Sequence, residues 1–281
     1  MGCGASSASK SRQLALLNST EEREGDDTFE ASSFEEAMER LFPLSFEAED
    51  WLDTTQVILG ARGFTKENSL ACISACRDIL AVDVVAQVNE KWADSNGNFP
   101  VINGSSIAGF MALGKTGMRT LLENAPPGYD RDRFVFIAMP HLAINEGGQL
   151  GSPEGMLGRF RKELEQHNVS LHEDPLDSEY CAAKTKLLQK HNFGPVPSLA
   201  TLTKTAATIA SETLDALIKE TISLETADVS VLVGVQVRGP NKRDYVYTHE
   251  FYSYKDRQKM DHKVEMEKIY DKSLSPDPED P

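Results

Sequence analysis

Residues 133–144 read Arg-Phe-Val-Phe-Ile-Ala-Met-Pro-His-Leu-Ala-Ile, and this stretch indicates the fold class. The apolar run Arg133–Ala138 predicts a buried strand that ends at Pro140, just before His141. A second, almost continuously apolar run, Val229–Val237, predicts another buried strand. Strands buried on both faces are typical of a mostly parallel sheet flanked by helices, so the sequence predicts an α/β fold.

Helices are predicted before, between and after these strands. Ser33-Phe34-Glu35-Glu36 is a capping box that opens a short helix ending near Leu41. Further helices are predicted over about residues 47–59, 178–191 and 198–220. Residues 69–92 contain neither glycine nor proline, so one long helix and a strand to Ala75 followed by a helix both remain open. Alternating aromatic and polar residues predict a last, more exposed strand over 245–254.

The two ends of the chain are polar and define the predicted domain boundaries. Residues 1–32 are predicted to be a disordered tether, residues 33–255 the folded domain, and residues 256–281 a charged, partly disordered tail. The first six residues, Met-Gly-Cys-Gly-Ala-Ser, match the pattern for myristoylation at Gly2, and Cys3 is placed for palmitoylation. Two lipids make membrane attachment durable. Since neither a signal peptide nor a membrane-spanning run is found, the predicted location is the cytoplasmic face of a membrane.

Charge and cysteine content exclude some classes of function. The 281 residues carry a formal net charge of −15, which repels phosphate backbones, so nucleic acid is not an expected partner. The four cysteines in a chain of this length do not suggest a disulfide framework. They fit a reducing compartment, where thiols are available for metals or lipids.

Residues 109–116, Gly-Phe-Met-Ala-Leu-Gly-Lys-Thr, match the P-loop pattern GxxxxGK[ST]. A phosphate-binding loop of this type must follow a buried strand so that its amides point inward. The preceding residues, Asn103-Gly104-Ser105-Ser106, are not a strand of any length. Binding of a nucleotide is therefore the most remote of the functions considered.

Cys76-Arg77-Asp78 and Met139-Pro140-His141 contain residue types that suit a zinc site. Zinc favours thiolate and imidazole ligands, and a catalytic site keeps one position open for water. An Asp two residues from the Cys could accept a hydrogen bond from that water, and the neighbouring Arg would keep the Asp ionised. The structural alternative is a buried thiol and a His that caps the end of a strand.

Several segments occur in an order shared with a known family: 75–78 (Ala-Cys-Arg-Asp), 114–117 (Gly-Lys-Thr-Gly), 136–144, 174–177 (Asp-Pro-Leu-Asp), 194–199 (Gly-Pro-Val-Pro-Ser-Leu) and 233–240. In these segments the chain resembles the limiting-CO2-inducible LCIB/LCIC proteins of algae over roughly residues 40–255. The resemblance implies a fold similar to that of β-carbonic anhydrases, and a homodimer or a hetero-oligomer with relatives. It also implies zinc as the cofactor and carbon dioxide and bicarbonate as substrate and product.

Family members of this type bind zinc through a Cys, a His and a second Cys, with an Asp nearby. The resemblance makes Cys76 and His141 zinc ligands, while Asp78 orients the bound water. Arg77, as the neighbour expected to keep Asp78 ionised, completes the predicted catalytic pair. The second Cys is matched by Leu157, which cannot bind zinc, and a His of the family is replaced by Asn124 or Glu123. Residues that could substitute as ligands are Cys72, Asp78, Glu154, His167, His172 and Cys181.

Two functions therefore compete. The first is the reversible hydration of carbon dioxide at zinc, and the second is a non-catalytic, membrane-anchored binding or assembly partner. Leu157 motivates the second, because two protein ligands hold zinc poorly.

Overall fold

The computed structural model describes residues 31–93, 101–110, 113–151, 155–166, 169, 177–190 and 195–274. The helices are α1 (Phe34–Leu41), α2 (Ala48–Ala61), α3 (Val82–Trp92), α4 (Gly114–Leu122), α5 (Met156–Glu165), α6 (Ser178–Lys190), α7 (Leu199–Thr221) and α8 (Lys263–Leu274). The strands are β1 (Phe46–Glu47), β2 (Leu70–Ala75), β3 (Ile102–Asn103), β4 (Asp132–Met139), β5 (His141–Ile144), β6 (Leu150–Gly151), β7 (Ala227–Arg238), β8 (Asp244–Lys255) and β9 (Gln258–Asp261).

The strands form one mixed sheet with a parallel centre. Its main path is β1-β8-β7-β4-β2-β3, and the pairs among β7, β4, β2 and β3 are all parallel. Antiparallel pairs join β8 to β7, β1 and β9 on one side. The predicted α/β fold with a mostly parallel central sheet is confirmed.

Side-chain alternation along the central strands divides the core into two layers. Phe134, Phe136 and Ala138 of β4 belong to the apolar cluster that includes α7. Val135 and Ile137 belong to the cluster on the opposite face, with α2 and α3. Successive strand residues point to opposite faces, so a strand covered by helices on both sides must be apolar throughout. This is why the central strands were recognisable in the sequence.

Two details of the sequence prediction are settled by the structure. Residues 69–92 form β2, a 3₁₀ turn (Ile79–Ala81) and α3 rather than one helix, because β2 is paired on both edges and all six of its residues are buried. The sequence prediction ends the folded domain at residue 255, which is earlier than the structure does. Strand β9 and helix α8 follow, and Met266 is only 1% exposed, so the folded region continues past residue 255.

Residues 1–30 of the predicted tether, including the lipidation residues Gly2 and Cys3, lie outside the described residues. Within the described ranges, no helix has both the length and the apolar character that crossing a membrane requires.

Because the pKa of His249 in β8 is lowered, we expect the protein to lose stability at acidic pH. Burial, followed by the charges of Lys263 and Lys204, lowers the pKa of His249 to about 4. The unfolded chain, with a histidine pKa of about 6.5, binds the proton first, so stability falls as the pH drops from about 6.5 to about 4. We expect this site to remove about 2–3 kcal/mol from the free energy of unfolding over that range.

Urea unfolding of the native protein and of His249→Gln between pH 7 and 4.5 measures this contribution. The variant should show a shallower pH dependence, with a residual slope from His141 and His262, whose pKa values are also lowered by burial. Parallel pH profiles for the two proteins would contradict the assignment.

Candidate active site

The sequence-predicted residues Cys76, Asp78 and His141 lie at one edge of the sheet. The parallel register pairs Ala75, the last residue of β2, with Met139, the last residue of β4. The segments that leave the two strands therefore emerge side by side at the carboxyl edge, where parallel sheets commonly place their sites.

His141 is positioned by Pro140, which separates β4 from β5. Strands β4 and β5 both pair with β7, and His141 of β5 lies opposite Gln236 of β7. The His141 side chain is 4% exposed, and neither ring nitrogen has a hydrogen-bond partner. Burial lowers the pKa of His141, as does the charge of Arg238, whereas Asp78 raises it. The imidazole is therefore neutral near pH 7 and presents an unpartnered nitrogen lone pair.

Asp78 is held at the start of the 3₁₀ turn that follows β2. Its Oδ1 accepts a hydrogen bond from the Leu80 backbone N–H at 3.0 Å. Its Oδ2 lies 3.5 Å from Nε2 of His141, which is longer than an ordinary N–H···O hydrogen bond. One carboxylate oxygen thus has a structural role, and the other faces the imidazole.

Cys76 directly follows β2, forms an isolated bridge with Ser106 and is partly buried. Burial raises the pKa of its thiol, and the nearby Asp78 carboxylate adds to that effect. Backbone N–H groups of Ala108, Asp78 and Arg77 oppose the shift because they donate to the sulfur. The thiol is therefore protonated at neutral pH and must lose its proton to bind a metal.

Arg77 donates to groups other than its neighbour Asp78. Its guanidinium donates to Oε2 of Glu179 at 2.8 Å and to the Ser105 carbonyl at 3.1 Å. The other oxygen of Glu179 accepts from the Ile107 N–H at 2.7 Å. Glu179 of α6 therefore connects Arg77 to the 3₁₀ turn Ile107–Gly109 beside Cys76. Sequence reasoning missed Glu179, and no local pattern marks it.

A buried polar network supports the turn on the other side. Gln236 Nε2 donates to the Leu80 carbonyl at 2.8 Å and to Asp244 at 2.9 Å. Arg238 donates to the same carbonyl at 2.8 Å and to Asp83 at 3.0 Å, and it pairs with Asp244 at 2.7 Å. A glutamine and an arginine near the end of a largely apolar strand were the signal in the sequence that could have identified this network.

A cavity of about 200 Å³ opens beside these residues. It is lined by Cys76, Arg77, Asp78, Ile107, Gly155, Met156, Arg159, Asp177 and Tyr180. Leu157 is the second residue of α5, next to the lining residues Gly155 and Met156, but it is 5% exposed and belongs to the apolar core. Helix α5 thus reaches the cavity and places an alkyl side chain in the core at the position where the resemblance expects a thiolate.

Among the described residues, the Cys, His and carboxylate side chains near the cavity are the candidates for the three protein ligands that a catalytic zinc needs. No group of three or more His, Cys, Asp or Glu side chains in the described ranges is arranged to hold a metal ion. Cys72 is fully buried, and burial raises the pKa of its thiol to about 12. Cys181 lies on α6, partly buried and outside the set that lines the cavity. The other proposed substitutes, Glu154, His167 and His172, lie outside the described residues.

The remaining sequence candidates lie elsewhere. Glu123 and Asn124 are exposed at the end of α4, where the Asn124 amide donates to the Thr120 carbonyl. In the P-loop match, Gly109 ends a 3₁₀ turn rather than following a long strand, and the Lys115 ammonium pairs with Glu220. Residues 111 and 112 of that match lie outside the described residues.

Comparison with known proteins agrees with this architecture. The profile of the family described as limiting CO2-inducible proteins B/C beta carbonic anhydrases matches residues 45–255. The crystal structure of the limiting CO2-inducible protein LCIB is 24% identical and has a TM-score of 0.66, covering 79% of this chain and 95% of that chain. The structure of PtLCIB4, described as a homolog of LCIB, is 16% identical with a TM-score of 0.65, covering 80% and 98%. No curated protein sequence matches the chain.

Proposed function

Because the chain belongs to the limiting-CO2-inducible protein B/C family of β-carbonic-anhydrase-like domains, we propose that it is a non-catalytic member that retains the pocket without a complete zinc centre. The observation that carries the proposal is the donor set: Cys76 and His141 remain, while Leu157 belongs to the apolar core. A zinc site that activates water needs three protein ligands and an open position.

The proposed role is binding and assembly. A domain that has kept the family fold but not the complete set of ligands can still pair with itself or with catalytic relatives, as a homodimer or a hetero-oligomer. The lipids proposed at Gly2 and Cys3 would attach such an assembly to the cytoplasmic face of a membrane. The net charge of −15 argues against a nucleic-acid partner.

A second candidate is hydration of carbon dioxide at zinc held by Cys76, His141 and Asp78. The unpartnered nitrogens of His141 and the 3.5 Å separation from Asp78 favour it. Two ligands that are about 2.0 Å from one tetrahedral ion lie about 3.3 Å apart, close to this separation. Carbon dioxide and bicarbonate would then be substrate and product.

Zinc content and hydration rate distinguish the two candidates. We expect the purified full-length protein, dialysed after exposure to zinc, to hold far less than about one ion per chain. Its rate of carbon dioxide hydration should equal that of buffer and of Cys76→Ser. About one zinc per chain, with a hydration rate that disappears in Cys76→Ser and in Asp78→Asn, would overturn the proposal and establish the second candidate.

Membrane attachment is tested separately. Gly2→Ala removes the acceptor for myristate, so the protein is expected to move from the membrane to the soluble fraction in cells that carry the acyltransferase. Ala5→Gly, which leaves Gly2 and Cys3 in place, is the matched control and should remain at the membrane. Equal membrane fractions for Gly2→Ala and the native protein would refute lipid anchoring through this residue.

A further inference from the structure

Two lysines from different helices meet at one tyrosine ring, and none of these three residues lines the Cys76 pocket. The ammonium nitrogens of Lys204 in α7 and Lys263 in α8 lie 5.4 Å and 5.6 Å from the ring centroid of Tyr247 in β8. Lys204 is also 5.2 Å from the centroid of the Phe42 ring. His249 lies two residues after Tyr247, and its Nε2 is 3.0 Å from the Thr208 hydroxyl. The three basic side chains are all partly buried.

The two ammonium groups lack a negatively charged partner in the described part of the chain. Neither has a carboxylate oxygen within 4.0 Å there, whereas Lys184 pairs with Glu163 and Lys219 with Asp215. The Lys263 ammonium donates to the His249 carbonyl at 3.3 Å, and the backbone N–H of Lys263 donates to Oδ1 of Asp261 at 2.8 Å. Burial, and then the charge of Lys263, lowers the pKa of Lys204. Interaction with an aromatic face compensates only part of the cost of removing an ammonium from water.

We propose that Lys204, Lys263 and Tyr247 form a binding site for a doubly charged oxyanion of the phosphate type. One such group supplies two negative charges and several acceptor oxygens, which matches two ammonium groups that share one aromatic ring and have no carboxylate partner among the described residues. The site is independent of zinc and of the proposed function of the Cys76 pocket. The phosphate can belong to a soluble phosphomonoester or to a lipid headgroup, since both present the same chemistry.

Thermal unfolding of the full-length protein in inorganic phosphate, with sodium chloride at matched ionic strength, tests the site. Phosphate at about ten times its dissociation constant should lower the unfolding equilibrium constant about 11-fold, with saturation. Lys204→Gln with Lys263→Gln should abolish this response. Lys219→Gln, which removes a lysine paired with Asp215, should retain it. A native protein that responds equally to phosphate and chloride, or a double variant that responds like the native protein, would overturn the proposal.

Binding measured directly does not depend on the folding of the variants. Equilibrium dialysis of the native protein with radiolabelled phosphate should show about one saturable site per chain, and its absence overturns the proposal. Sedimentation with vesicles of phosphatidylcholine, with and without a phosphatidylinositol phosphate, separates the two sources. Sedimentation only with the phosphoinositide, reversed by free phosphate, supports a lipid headgroup. Saturable phosphate binding without sedimentation supports a soluble ligand.

Discussion

Leu157→Cys is expected to raise bound zinc from a small fraction of the chains to about one ion per chain. The substitution adds a thiolate to a donor set that has Cys76 and His141, at the start of the helix whose neighbouring residues line the cavity. Binding of structural zinc contributes about 10–16 kcal/mol in small domains, far more than a single core contact. The zinc-loaded variant should therefore be more stable than the native protein.

The same substitution without zinc should be destabilising. Leu157 is buried in the core, and loss of its branched methyl groups should reduce the free energy of unfolding by about 1–3 kcal/mol. Leu157→Ala is the matched control, because it loses the packing and offers no ligand. Zinc content measured by mass spectrometry should rise only in the cysteine variant, and adding His141→Ala should remove the gain. A folded Leu157→Cys protein that binds no zinc would show that this position is not the missing ligand.

Gly109→Ala is expected to reduce the free energy of unfolding by about 3–5 kcal/mol. Gly109 has a φ of +69°, and a Cβ placed on it would lie 2.8 Å from the Pro140 nitrogen and 2.9 Å from the Met139 carbonyl carbon and oxygen. These are backbone atoms that cannot move aside as a side chain does. The turn Ile107–Gly109 must therefore separate from the junction of β4 and β5, which positions His141.

Gly114→Ala provides the control for backbone strain. Gly114 also has a positive φ, +61°, but a Cβ there would meet no atom within 4 Å. Replacing Gly114 by Ala should therefore lower the free energy of unfolding only by the cost of a positive φ for alanine, about 1 kcal/mol. Urea unfolding of both variants measures the difference between their losses in free energy of unfolding. That difference is the contribution of the close contact between Gly109 and the backbone of Met139 and Pro140. Equal losses would mean that the turn does not pack against Met139 and Pro140 as tightly as the structure shows.

Some of this structure could be predicted from the sequence because it follows from local rules. Strands covered on both faces require unbroken apolar runs, so β4 and β7 were visible as residues 133–138 and 229–237. Pro140 marked the interruption before His141, because proline has no N–H for a ladder. The chemical types of Cys76, Asp78 and His141 predicted a zinc site, and the structure places Asp78 beside His141; the metal itself stays a prediction.

Other features could not be predicted because long-range contacts decide them. Residues 70–75 became a strand because β3 and β4 pair with both edges, which neither composition nor spacing reveals. The partner of Arg77 is Glu179, 102 residues further along the chain, rather than its neighbour Asp78. The pairing of the Leu80 carbonyl with Gln236 and Arg238 spans more than 150 residues.

The sequence thus identified the fold class, its central strands, and Cys76 and His141 as the chemically distinctive pair, since each depends on residue type and local period. Only the tertiary structure placed Asp78 against a His141 ring without hydrogen bonds and assigned Arg77 to Glu179. It also brought Lys204 and Lys263 to one aromatic ring. The physical reason is that burial and charge pairing depend on which distant segments meet, and a local pattern carries no information about that.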